Sequence, residues 1–108
     1  MPKIFKYTLP IEHLDADGAC RLDLPVGAKI RHIGLQQEGA RNYVSLWAEV
    51  EPLTNPRRCH VFTFVGTGRD VPASEDADGL SKGLSYITTI EPMRGLILHV
   101  YHHIDLKR

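Results

Sequence analysis

Seven stretches of the chain alternate apolar and polar residues with a period of two, the pattern of a strand buried on one side. None sustains the 3.6-residue period of an amphipathic helix. Residues 4–9 set Phe5, Tyr7 and Leu9 on one face against Lys6 and Thr8, and Pro10, which has no amide for a ladder, ends the run. Residues 19–24 alternate Cys20, Leu22 and Leu24 with Arg21 and Asp23, and Pro25-Val26-Gly27 then supplies a turn. In residues 28–37, Ile33 and Leu35 keep phase while Ile30 is one place out, which predicts a bulge near His32. Residues 43–50 are the cleanest run, with Val44, Leu46, Ala48 and Val50 inward and Ser45, Trp47 and Glu49 opposite.

The punctuation between these runs predicts which strands meet. Glu38-Gly39-Ala40-Arg41-Asn42 reads as a hairpin loop, so the third and fourth strands pair. Residues 58–66 are apolar on both faces, with Phe62 and Phe64 opposing Val61 and Val65, as in a central strand. Residues 70–82 form the one long polar loop, with room for a short helical turn over 80–84. Residues 84–90 and 95–104 make a last pair joined through Glu91-Pro92-Met93-Arg94. Asp-Ala-Asp-Gly occurs at 15–18 and again at 76–79, but the flanks share nothing else, so the recurrence is turn chemistry and not a repeat. The result is a single all-β domain over residues 1–108, either a small antiparallel barrel or a two-sheet sandwich of about seven strands.

Composition narrows the class of partner. At 108 residues and 12.1 kDa, with 43% hydrophobic and 24% charged residues, the chain suits one modest core. Thirteen Lys and Arg balance thirteen Asp and Glu, which argues against nucleic acid or an anionic membrane as the partner of the whole surface, although a local patch remains open. No apolar run reaches the length of a bilayer span and residues 1–8 have no signal-peptide centre, so the expectation is a cytoplasmic protein. Cys20 and Cys59 lack the number and spacing of a disulfide framework or zinc knuckle. Both fall at positions read as inward, where a free thiol acts as a small hydrophobe.

Candidate chemistry is sparse. Of six histidines, three crowd the last strand: His99 and His103 share a face with Tyr101, while His102 faces the other way with Val100 and Ile104. His99 and His103, joined by His60 from another strand, are the one set able to hold a transition metal, and no helical metal motif accompanies them. Otherwise no cofactor is expected. Gly66-Thr67-Gly68-Arg69 is the most motif-like element. Backbone without Cβ atoms admits an anion closely and Arg69 offers a planar fork to phosphate or carboxylate, but neither the P-loop nor the dinucleotide fingerprint is present. Residues 75–79 lack the ligand register of a calcium loop, and no nucleophile elbow frames the serines. Trp47, opposite the aliphatic set of its strand, is assigned to the other half of a sandwich core in preference to a binding surface.

Five pieces in order, residues 4–10, 24–30, 46–50, 64–68 and 98–101, together resemble a family of short uncharacterised proteins from bacteriophages and their bacterial hosts, classified as a domain of unknown function. The resemblance implies an accessory product made in a host cytoplasm and assigns no catalytic residue. The reading that follows is a non-catalytic protein binding a host component or a small anionic ligand. The ligand would sit at Gly66, Thr67, Gly68, Arg69 and Tyr101, with the loop from Gly66 to Gly83 as its setting. A metal-dependent enzyme on the histidine cluster and a virion or structural accessory protein are the alternatives. Exposed strand edges on so small a domain also predict a homodimer or higher homo-oligomer.

Overall fold

In a computed structural model, which describes residues 1–53, 56–71 and 84–106, the chain forms two antiparallel sheets packed face to face. β1 (Lys3–Leu9), β4 (Arg41–Val50) and β3 (Lys29–Glu38) make a three-stranded sheet in that order. β2 (Ala19–Pro25), β5 (Arg57–Gly66), β7 (Leu96–Asp105) and β6 (Ser85–Met93) make a four-stranded one. The arrangement is a sandwich and not a closed barrel. The β3–β4 and β6–β7 hairpins form within a sheet, as the sequence pattern requires. Short connections after β1, β2 and β4 carry the chain from one sheet to the other.

Each turn has its local cause. Asp15 Oδ1 accepts from the amides of Asp17 and Ala19 at 2.8 and 3.0 Å, so the first Asp-Ala-Asp-Gly is indeed a turn built by its leading aspartate; the second lies outside the described residues. Gly18 follows at φ +77°, and its carbonyl accepts from Phe64 N at 2.9 Å. A Cβ there would stand 2.9 Å from Phe64 O, so this glycine is needed both for its backbone angle and for the close approach.

The core lies between the sheets. Leu9, Ile33, Val44, Leu46, Ala48 and Val50 from one sheet meet Cys20, Leu24, Phe62, Phe64, Ile90 and Val100 from the other. The inward set of β4 is the one its alternation predicts. Arg31 is the extra residue of a bulge between Ile30 and His32, which restores Ile33 to the core after Ile30.

Two assignments change. β5 is central and buried on both sides, and it is the Phe62 and Phe64 face that meets the other sheet, while Cys59, Val61, Thr63 and Val65 lie on the outer face. Cys59 therefore does not share a face with Cys20, although both thiols are free and buried. Val61 is only 2% exposed because Arg21 and His103 flank it on the neighbouring strands. Trp47 is also outward, half-buried beside His32 on the outer face of the three-stranded sheet, because residues 44–50 leave no second inward set.

The sheet edges carry features that discourage pairing with another chain. β3 and β6 are bulged, β6 contains Pro92, β2 ends in Pro25, and β1 carries Lys3 and Lys6. Among the described residues no helix is long and apolar enough to cross a membrane.

Candidate ligand-binding site

The Gly66-Thr67-Gly68-Arg69 segment is a tight turn at the end of β5. Arg69 N donates to Gly66 O at 3.0 Å, and Gly68 takes φ +86° at the third position, where an L side chain would be strained. Thr67 continues the outer-face phase of Val61, Thr63 and Val65, which brings its hydroxyl to the outer face of the four-stranded sheet. There Thr67 Oγ1 lies 2.9 Å from Nε2 of His99 on β7. His99 Nδ1 is 2.9 Å from Thr89 Oγ1 on β6, and Thr89 in turn bonds the Tyr86 hydroxyl. Tyr86 packs edge-on against Tyr101 with ring centroids 5.7 Å apart.

Four side chains from the turn and two strands thus form one hydrogen-bonded chain, Thr67 to His99 to Thr89 to Tyr86. Its polarity is constrained. A neutral imidazole donates from one nitrogen and accepts at the other. When His99 accepts from Thr89, its Nε2–H donates to Thr67 and the threonine keeps its own proton for an outside acceptor. When His99 accepts from Thr67, that proton is consumed. An anion beside Thr67 selects the first arrangement.

Arg69 is exposed and makes no ion pair among the described residues. Its Cγ lies 3.5 Å from the place a Cβ on Gly66 would take, so its stem wraps the strand end on the side away from Thr67. The methylene stem of Arg69 thus folds back over the strand end while its guanidinium stays at the exposed turn.

The structure divides the three histidines proposed as metal ligands. His99 and His103 share the outer face but are four residues apart on one strand, about 13 Å by strand geometry. His60 is on the opposite face, because it keeps phase with Phe62 and not with Val61. There it pairs with His102, Nδ1 to Nε2 at 2.8 Å with ring centroids 5.1 Å apart. Burial pushes His102 down to about 4, helped by the nearby charges of His60 and His103, and burial also lowers His60 and His103. His103 Nδ1 is buried without a hydrogen-bond partner. Among the described residues no group of three His, Cys, Asp or Glu is arranged to hold a metal ion.

Sequence reasoning found Thr67, His99 and Tyr101 but not Thr89 or Tyr86. On a regular strand residues three apart face opposite ways. A bulge between Tyr86 and Thr88 turns Tyr86 and Thr89 to the same side, opposite Tyr101 and His99. The acidic segment at 75–79 and most of the proposed loop, residues 72–83, lie outside the described residues.

Fold and site together define a small all-β sandwich protein with a hydroxyl–imidazole relay ending at a glycine turn. Residues 1–107 match the family described as a domain of unknown function, DUF7352, and the chain belongs to that family. No curated protein and no solved structure matches the chain significantly.

Proposed function

We propose that this protein is a non-catalytic binding protein and that the Gly66–Arg69 turn takes a small anionic ligand, or an anionic group on a host component. The observation that carries the reading is the relay behind Thr67. It holds the hydroxyl in place and, in one of its two polarities, leaves the threonine proton directed outward, while Arg69 at the same turn is free to give a charge-assisted fork. Tyr101, packed on Tyr86, supplies an apolar wall to the same face. The likeness to short phage and prophage proteins adds the expectation of an accessory role in a host cytoplasm, and the small size of the domain adds that of a homo-oligomer.

Calorimetric titration with inorganic phosphate, a phosphate monoester and a dicarboxylate tests the reading. Arg69→Ala and Thr67→Val should each weaken the tightest binder by about tenfold, the loss of one good hydrogen bond to a charged group. Arg69→Ala should also leave stability within about 0.5 kcal/mol. Unchanged affinity in both variants would place the interface elsewhere. Substrate turnover lost in a His99→Ala variant would replace a binding role with an enzymatic one.

A further inference from the structure

The outer face of the three-stranded sheet carries chemistry that the turn site does not use. On one rung Trp47 of β4 stands between Lys6 of β1 and His32 of β3. On the next, Lys29 lies opposite Glu49. The bulge at Arg31 brings its guanidinium to the same face, where Nε and Nη2 both donate to Glu49 Oε1 at 3.2 and 2.9 Å. Glu49 is thereby engaged by Arg31. Lys6 Nζ donates to the neutral Gln36 Oε1 at 2.8 Å, so neither Lys6 nor Lys29 has its charge matched by a second carboxylate on these rungs.

The rung on the other side of Trp47 is made of small residues, Thr8, Ser45 and Gly34. A Cβ on Gly34 would stand 2.7 Å from His32 Nε2, which means that the imidazole of His32 lies over the glycine. Its ring centroid is 5.4 Å from that of Trp47 and its plane is tilted by 41°. A planar heteroaromatic ring thus already occupies a floor without a side chain, against an indole, with unmatched cations beside it. His32 is exposed, at the end of a side chain that can swing away.

We propose that this slot binds a mononucleotide, its base taking the place of His32 against Trp47 and its phosphate resting on Lys6, with Lys29 one rung away. The excess of cations over carboxylate supplies the charge complementarity and the indole supplies the stacking surface, the two ingredients of nucleotide binding on a sheet. Three strands spaced about 4.8 Å apart make a face about 10 Å wide, and Trp47 is the one indole on it, a stacking surface for a single base. The slot lies on the other sheet from the Gly66–Arg69 turn, so it stands or falls separately from that site.

Trp47 is the only tryptophan in the chain, so its emission reports this slot alone. The full chain is titrated with AMP, adenosine, ribose 5-phosphate and a ten-residue oligoadenylate, with excitation at the red edge of indole absorption. AMP should quench saturably below millimolar concentration, with adenosine and ribose 5-phosphate each weaker by about tenfold because one lacks the phosphate and the other the base. Lys6→Gln, at an exposed position, should weaken AMP while keeping the fully quenched signal. His32→Ala should tighten it, because the resident ring is gone. No saturable quench by millimolar AMP overturns the proposal, as does ribose 5-phosphate binding as well as AMP or His32→Ala weakening AMP. Oligoadenylate binding much tighter than AMP would overturn the mononucleotide in favour of a single strand.

Discussion

Lowering the pH drives protons onto a pair of imidazoles that the fold holds neutral between its sheets. His60, only 2% exposed, and His102 meet at 2.8 Å, and a single hydrogen bond between two rings needs one to donate and the other to accept, which two charged rings cannot do. Burial, and then the charges of His60 and His103, lower His102 from 6.5 to about 4. The folded pKa lies below the unfolded one, so the unfolded chain binds the proton more readily. The stabilisation is complete above about pH 6.5, drains away as the pH falls toward 4, and changes little below that. A difference of 6.5 minus 4, about 2.5 units at about 1.36 kcal/mol each, comes to about 3 kcal/mol for His102 alone. The burial of His60 acts in the same direction, opposed in part by Asp23.

A loss of this size is a large part of the ~5–15 kcal/mol that holds a domain together. The assay is urea unfolding of the native chain and of His102→Phe across the same pH series. The variant is less stable at neutral pH, by about 1–3 kcal/mol, because His60 Nδ1 loses its partner. It should nevertheless shed less stability on acidification. With a urea slope of about 1–3 kcal/mol/M, the native midpoint falls about 1–3 M further than that of the variant between neutrality and pH 4. Parallel midpoint curves for the two proteins would refute the assignment of this acid sensitivity to the pair.

Gly18→Ala should cost about 1–3 kcal/mol in urea unfolding, since it adds a Cβ at φ +77° and within 2.9 Å of Phe64 O. Burial, with Asp15 adding to it, pushes the Cys20 thiol up to about 11, so at pH 8 only about one molecule in a thousand carries the thiolate. Alkylation of Cys20 by iodoacetamide, followed by mass spectrometry, should then track unfolding, and rapid labelling of the folded protein would contradict this. Phe62→Ala empties the middle of the inter-sheet core and should cost about 3–5 kcal/mol, read as a lowered melting temperature.

Alternation made most of this fold legible because most strands bury one face. The inward set of β4, the bulge ahead of Ile33 and the two hairpins all follow from residue types two apart and from the glycines between them. β5 defeated the same logic. With apolar residues at every position from Val61 to Val65 except Thr63, nothing in its own sequence says which face meets the other sheet, so Cys59 and His60 lie on the faces opposite to those the alternation suggests. Trp47 shows that size is not burial, because Val44, Leu46, Ala48 and Val50 of its own strand already fill the core side. At the site, Thr67 and His99 could be singled out by residue type, but their contact depends on the register of β5 against β7. The completion of the relay depends on a bulge in β6 whose only sequence trace is the close spacing of Tyr86 and Thr89.

The Gly66–Arg69 turn, in front of the Thr67–His99 relay, is where we propose that an anion meets the protein. Amide and imidazole resonances followed during titration with inorganic phosphate test it most directly. Saturable shifts are expected at Thr67, Gly68 and Arg69, at the His99 ring, and more weakly at Thr89 and Tyr86, all needing about tenfold more phosphate in Thr67→Val. Shifts that are absent, or that gather at His60 and His102 or elsewhere while the turn stays silent, would contradict it.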